Sequence, residues 1–195
     1  MTGIILAGGK SQRMGKNKAF MDSGGVPLFE RVYGIFREIF SEIIIVANDI
    51  LPFERYEAIL RRDIILGKGA LGGLYTGLFH SSHYYAFCSA CDMPFLNPRL
   101  IKYMGEERDD YDVIVPKTHD GLHPLHAIYS KKCLNPMSQS LDRNDLKIVN
   151  FFQQVRVRYI EEMEIRQLDP DMRSVINVNT AEEMEAVRNI LLEAE

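Results

Sequence analysis

The sequence predicts an α/β fold: one domain over residues 1–195, with a doubly wound, mostly parallel, Rossmann-like sheet. Three observations predict it. Short apolar runs, Thr2 to Ile5 and the I-I-I-V run within Glu42 to Ala47, have the β-branched character of parallel strands buried on both faces. Segments of helical periodicity separate such runs, giving a β-α-β-α-β order. Glycine-rich stretches follow the first and third strands, at the sheet edge where open parallel sheets bind ligands.

Length and composition bound the function. A chain of 195 residues is one domain by size and buries ~70% of its unfolded surface. With 46% apolar and 26% charged residues and a net charge of -4, it is an ordinary soluble protein. A nucleic-acid-binding domain would be basic, so no nucleic-acid partner is expected. No apolar run approaches the ~18 residues of a membrane span, and the N-terminus carries no secretory pattern. No membrane partner is expected, and the location expected is cytoplasmic. Three cysteines without a secretory signal argue for reduced thiols.

The first strand runs into L-A-G-G-K-S-Q-R-M-G-K-N-K, Leu6 to Lys18. Gly8 and Gly9 allow positive φ and close approach of backbone amides, while Lys10, Arg13, Lys16 and Lys18 surround them with positive charge. Convergent donors and cations describe a phosphate cradle; the competing reading is a solvated basic loop. A Walker A loop is excluded, because Gly9 to Gly15 is one residue too long and Asn17 follows Lys16. A G-x-G-x-x-G match at Gly67, Gly69 and Gly72 comes after the third strand, the wrong place for a dinucleotide fingerprint.

Ala19 to Phe20 is short and extended, Ser23 to Gly25 a turn, and Pro27 suits the first turn of a helix running to Phe40. The second strand is Glu42 to Ala47, closed by Asn48 and Asp49. A short helix is predicted over Phe53 to Leu60, a third strand over Asp63 to Leu66, a glycine-rich turn over Gly67 to Gly73 and a helix over Leu74 to Ser81. Tyr84 to Ala90 is the fourth strand, delivering C-D-M-P. Asp92, at its end, is where a Mg2+ ligand is wanted, since Mg2+ takes one or two carboxylates and completes its shell with phosphate oxygens and water.

His80, His83, Cys88 and Cys91 suggest zinc by type, but a strand between them puts the histidines ~23 Å from Cys91. Asn97 caps a helix opened by Pro98 and ending near Glu107. A strand at Asp112 to Pro116 is followed by G-L-H-P-L-H-A-I-Y, then helices over Lys131 to Leu141 and Asp145 to Phe152. Val155 to Ile160 alternates as an edge strand with Arg156 and Arg158 outward. Asn177 and Asn179 fall on one face of a strand end, and Thr180 with Glu183 makes a capping box for a helix over Ala181 to Leu192.

L-A-G-G-x-S-x-R-M-G-x-x-K resembles the signature of nucleotidyltransferases that attach a nucleotide to a phosphorylated acceptor. Its double glycine is similar to the molybdenum cofactor guanylyltransferases. G-A-L-G-G, C-D-M-P, H-P-L-H-A-I-Y and N-V-N-T follow in that family's order and span nearly the whole chain, with Ala70 standing where the second motif usually has proline. The resemblance implies transfer of GMP from GTP to the phosphate of molybdopterin, with or without molybdenum, releasing pyrophosphate. It implies Arg13, Lys18 and Asp92 as catalytic residues, with Mg2+ on Asp92. Nucleotide contacts fall on Leu6, Ala7, Gly8, Gly9, Lys18, Asp63, Gly69, Leu71, Gly72 and Asp92, with the Asp63 carboxylate accepting from guanine N1–H and the exocyclic amine. His123, Pro124, Asn177 and Asn179 fall at the acceptor site. Proteins that deliver molybdopterin and receive the finished cofactor are further expected partners. A cytidylyltransferase for the same acceptor, which carries alanine in place of Gly8, is the nearest alternative, followed by another nucleotidyltransferase such as a sugar-1-phosphate enzyme, which shares the opening motif but not N-V-N-T; a non-catalytic GTP-binding accessory protein is one of another class.

Overall fold

The structure, a computed structural model, describes residues 1–8, 20, 21, 23, 25–178 and 180–192. The expectations for Gly9, Arg13, Lys18 and Asn179, and for the flanking Lys10, Lys16 and Ala19, lie outside the described residues.

Among the described residues an eight-stranded sheet has the order β3-β2-β1-β4-β7-β5-β6, with β8 also pairing with β5. The strands are β1 Thr2–Leu6, β2 Glu42–Val46, β3 Ile59–Arg61, β4 Tyr85–Ala90, β5 Val113–Thr118, β6 Gly121–Leu122, β7 His126–Ser130 and β8 Val157–Glu161. β1 lies parallel between β2 and β4, and β2–β3 and β5–β8 are also parallel. β7 enters antiparallel between β4 and β5, so the sheet is mixed but mostly parallel.

The helices are α1 Leu28–Ile39, α2 Gly69–His80, α3 Pro98–Glu106, α4 Leu134–Asp142, α5 Glu162–Leu168 and α6 Ala181–Leu192. Successive strand residues point to opposite faces, so Ile4 and Ile5, both fully buried, belong to different cores. Ile5 packs with Phe29, Phe36, Leu100, Met104 and Ile165 of α1, α3 and α5. Ile4 packs with Leu71, Leu74, Met137 and Leu141 of α2 and α4. Helices on both faces make the doubly wound arrangement, and they explain why the β1 and β2 runs are continuously apolar.

Three boundaries differ from the sequence reading. The helix expected over Phe53 to Leu60 is a single 3-10 turn, Leu51–Phe53, and the third strand comes earlier than Asp63 to Leu66. Phe53 and Tyr56 pack with tilted rings against Phe29, at 4.8 and 4.7 Å between ring centroids. Ile59 to Arg61 then pair with Ile44 to Val46, which leaves Asp63 in the loop after the strand.

The second difference is α2, which starts at Gly69, five residues earlier than expected. Its glycines answer to packing. A Cβ at Gly77 would lie 2.5 Å from Ile4 Cγ2, and one at Gly73 3.2 Å from Leu6 Cδ2, so bare backbone lets α2 lie close against β1. Of the glycines from Gly67 to Gly77, only Gly67 (76°) and Gly69 (59°) have positive φ, where the chain turns into the helix.

The third is near the C-terminus. A 3-10 segment, Ile148–Gln154, replaces the expected helix over Asp145 to Phe152. Arg158 of β8 is held by Glu107 at 3.0 Å and Glu164 at 2.5 Å and is not an outward solvated arginine, whereas Arg156, just before the strand, is exposed as expected and lies 3.7 Å from Asp112. The expected capping box of α6 is present: Thr180 N donates to Glu183 Oε2 at 3.0 Å and Glu183 N to Thr180 Oγ1 at 3.1 Å.

Candidate functional site

The carboxyl ends of β1, β2 and β4 converge on one edge. Ala7 N donates to Val46 O at 2.9 Å and Cys91 N to Leu6 O at 3.1 Å, so the chains leaving all three strands run side by side. Leu6 is buried against α2, Ala7 is half-buried and Gly8 is exposed. A Cβ on Gly8 would rest in ordinary contact 3.7 Å from Asn48 N and 3.9 Å from Asn48 Nδ2. Asn48 reads in the sequence only as the end of a strand. Its signal was the topology: β2 is β1's neighbour, so the residue after β2 lies beside Gly8.

Asp63 reaches the same edge from the other side. Its Oδ1 lies 3.6 Å from the position of a Gly73 Cβ, next to the Leu6 side chain. Burial alone pushes its carboxyl up, because no cation or hydrogen-bond donor among the described residues holds its charge. A half-buried carboxylate of this kind is a ready acceptor for a ligand's N–H groups.

Gly69, Leu71 and Gly72 are part of α2 rather than of a loop. Gly69 and Ala70 are exposed, and the first amides of a helix have no intrahelical partner, which suits an anion at this end. Leu71 is fully buried in the core, so a ligand meets only its backbone. Gly72 is a packing glycine: a Cβ there would come within 2.9 Å of Lys68 Cβ and 3.3 Å of Ile65 O.

Asp92 lies in the turn after β4, and its carbonyl accepts from Val178 N at 2.9 Å. This bond brings N-V-N-T to C-D-M-P across more than eighty residues of sequence. Asn177 is exposed beside it, but in irregular chain and not at a strand end as expected. The acceptor motif arrives through β7. Ser89 faces His126 and Ala90 N donates to Leu125 O at 3.3 Å, which puts His123 and Pro124 near the same edge. His123 Nε2 lies 2.9 Å from Thr118 Oγ1, and burial pulls its pKa down; Pro124 O accepts from Tyr129 Oη at 2.5 Å.

His126 is fully buried against Phe87, with ring centroids 5.1 Å apart. Neither ring nitrogen has a hydrogen-bond partner among the described residues. Burial pulls its pKa down to about 3; His123 adds to the fall, and the Ser174 backbone opposes it from outside hydrogen-bond geometry. The ring is neutral at physiological pH, too deep for proton transfer with a ligand.

Among the described residues no three His, Cys, Asp or Glu side chains gather to hold a metal. One carboxylate at Asp92 fits Mg2+, which fills its shell largely from phosphate and water. It does not fit zinc, which needs three or four protein ligands. Cys88 sits inside β4 with its thiol pushed up by complete burial, out of the metal-binding thiolate range. No helix among the described residues is long and apolar enough to cross a membrane.

A doubly wound sheet with a basic, glycine-rich sequence after β1, a carboxylate after β3 and another after β4 defines a protein of the nucleotidyltransferase class. The MobA-like NTP transferase domain model matches residues 3–157, and the chain belongs to that family. It is 41% identical to the molybdenum cofactor guanylyltransferase of Desulfosudis oleivorans over 187 residues, covering 95% of this chain and 93% of that one. Its structure is similar to that of molybdopterin-guanine dinucleotide biosynthesis protein A from Archaeoglobus fulgidus, with TM-score 0.86, 26% identity and coverage of 99% and 100%. The 2-C-methyl-D-erythritol 4-phosphate cytidylyltransferase of Thermus thermophilus shares the fold, with TM-score 0.72, 12% identity and coverage of 97% and 98%. The same sheet thus carries cytidylyl transfer, so the fold does not choose the base.

Proposed function

We propose that this chain acts as one nucleotidyltransferase domain that transfers GMP from GTP to the phosphate of molybdopterin, releasing pyrophosphate and forming the guanine dinucleotide cofactor. The observation that carries this reading is the full-length relationship to a molybdenum cofactor guanylyltransferase, at 41% identity. The five motifs in order, and the meeting of C-D-M-P with N-V-N-T through the bond from Val178 to Asp92, support it.

In this reading Gly8, Gly9 and the first amides of α2 receive the triphosphate, and Asp63 and Asn48 hold the base and nucleoside. Asp63 supplies specificity because guanine offers two adjacent N–H donors to one carboxylate. Arg13 and Lys18 neutralise charge that moves onto pyrophosphate as the α-phosphorus is attacked in line. His123, Pro124, Asn177 and Asn179 position molybdopterin. Asp92 holds Mg2+, which supplies charge neutralisation on the phosphates when bound. The acceptor phosphate is already anionic near pH 7, so no general base is required, in keeping with the neutral, buried His126. The site is read as cytoplasmic, served by proteins that deliver molybdopterin and receive the product.

The test is pyrophosphate release with Mg2+ and molybdopterin, supplying GTP, CTP, ATP or UTP in turn. Release with GTP alone is expected. Release with CTP would move the protein to cytidylyl transfer, and tight GTP binding without turnover would make it an accessory binder.

A further inference from the structure

Lys68 stands between two glycines of positive φ, 76° at Gly67 and 59° at Gly69, and immediately precedes α2. A segment with that much backbone freedom needs an outside contact to hold one conformation. Lys68 Nζ provides it, donating at 3.0 Å to Leu141 O and at 3.0 Å to Asn144 Oδ1. Leu141 belongs to the last turn of α4, where free carbonyls favour a cation. Asn144 follows at φ 57°, a left-handed position that Asn tolerates, and its N–H closes back on Leu141 O at 3.1 Å. One turn therefore presents both acceptors. Gly72 leaves room for the lysine stem, since a Cβ there would meet Lys68 Cβ at 2.9 Å.

We propose that Lys68 is a positioning residue for the nucleotide: clasped by the C-terminal turn of α4, it holds the glycine entry of α2 so that the first amides of that helix stay presented to GTP. The proposal rests on the guanylyltransferase reading of the site. Its ammonium is committed to α4 and is not a phosphate ligand. The ordering of the glycine entry is completed before the nucleotide arrives, and pre-organisation of this kind appears in affinity rather than in the chemical step.

The experiment compares Lys68→Met, Asn144→Gly and the double variant by KM for GTP, kcat, and hydrogen exchange of the amides of residues 67–72. Asn144→Gly keeps the positive φ and removes the side-chain acceptor. Lys68→Met, which removes both bonds, is expected to raise KM about tenfold with kcat nearly unchanged, and Asn144→Gly, which leaves the bond to Leu141 O, to raise it by a smaller factor. The double variant is expected to match Lys68→Met, because the Asn144 acceptor acts only through the Lys68 ammonium. Exchange should quicken in all three. A raised KM in Lys68→Met with KM unchanged or lowered in Asn144→Gly would overturn the proposal and make Lys68 a phosphate ligand. Unchanged KM in both singles would overturn it as well. If the unaltered protein binds no GTP, the functional reading fails instead. The tether is then judged on exchange alone: unchanged exchange in both singles overturns it, and faster exchange in both upholds it.

Discussion

Asp92 and Asp63 are two carboxylates with different surroundings, and their substitutions should separate. Asp92 sits in the turn that joins β4 to the C-terminal segment through its own carbonyl, a backbone bond that a side-chain change leaves in place. Asp92→Ala is therefore expected to abolish pyrophosphate release while the melting temperature stays near that of the parent. Normal turnover in that variant would remove the metal assignment. Asp63 is half-buried with its charge uncompensated, so Asp63→Ala should not weaken the fold. It should raise KM for GTP by about 10- to 100-fold and narrow the preference over the other nucleotides, as the loss of two charge-assisted hydrogen bonds predicts. Steady-state kinetics with all four nucleotides check this. Motif context in the sequence singled out both carboxylates as candidates. Asn48 was not singled out, because its relevance comes from lying 3.9 Å from the Cβ position of Gly8, a neighbour forty residues away.

At the scale of the element, α2 shows how a glycine-rich stretch misleads. Five glycines between Gly67 and Gly77 read as a turn followed by a shorter helix, yet only Gly67 and Gly69 take positive φ. Gly77 is needed because Ile4 lies beneath it, at 2.5 Å from where a Cβ would be. Gly77→Ala gains about 1 kcal/mol of helix propensity and meets a buried, fully packed neighbour. The clash wins, and the variant should be less stable by about 1–2 kcal/mol in denaturant unfolding. In an Ile4→Ala background the same substitution should become neutral or stabilising. β3 went the other way: the sequence predicts a helix over Phe53 to Leu60, but Phe53 and Tyr56 pack with tilted rings on Phe29, and Ile59 to Arg61 pair with β2. Both misreadings share one cause, since a local pattern records what a residue touches and not which element it touches.

For the molecule as a whole, the fully buried His126 links acidity to stability. Its pKa is about 3 in the fold against 6.5 for a free imidazole, so below pH 6.5 the unfolded chain takes up a proton that the folded chain refuses. Its effect is absent above pH 6.5, and stability falls by about 1.4 kcal/mol per pH unit as pH drops from 6.5 towards 3. His80 and His123, both pulled down by burial, add in the same direction. A His126→Phe variant should show a flatter stability–pH curve over that window. It should be no less stable than the parent at pH 7.5, because two buried nitrogens without partners are removed. Equal slopes for the two proteins would show that His126 does not carry the effect.

The sequence by itself determined the fold class, the strand-to-motif order, the cap of α6 and the family, because these rest on local periodicity, on glycine and capping chemistry, and on motifs with a preserved order. The tertiary structure decided what depends on pairing and approach: the place of β3, the antiparallel entry of β7 that carries His123 and Pro124 to the site, and the helical state of Gly69 to Gly73. It also decided that the last motif reaches the turn after β4, through a backbone hydrogen bond from Val178 to Asp92. Contacts between residues distant in sequence leave no periodic trace in either partner, and only the folded chain places them together.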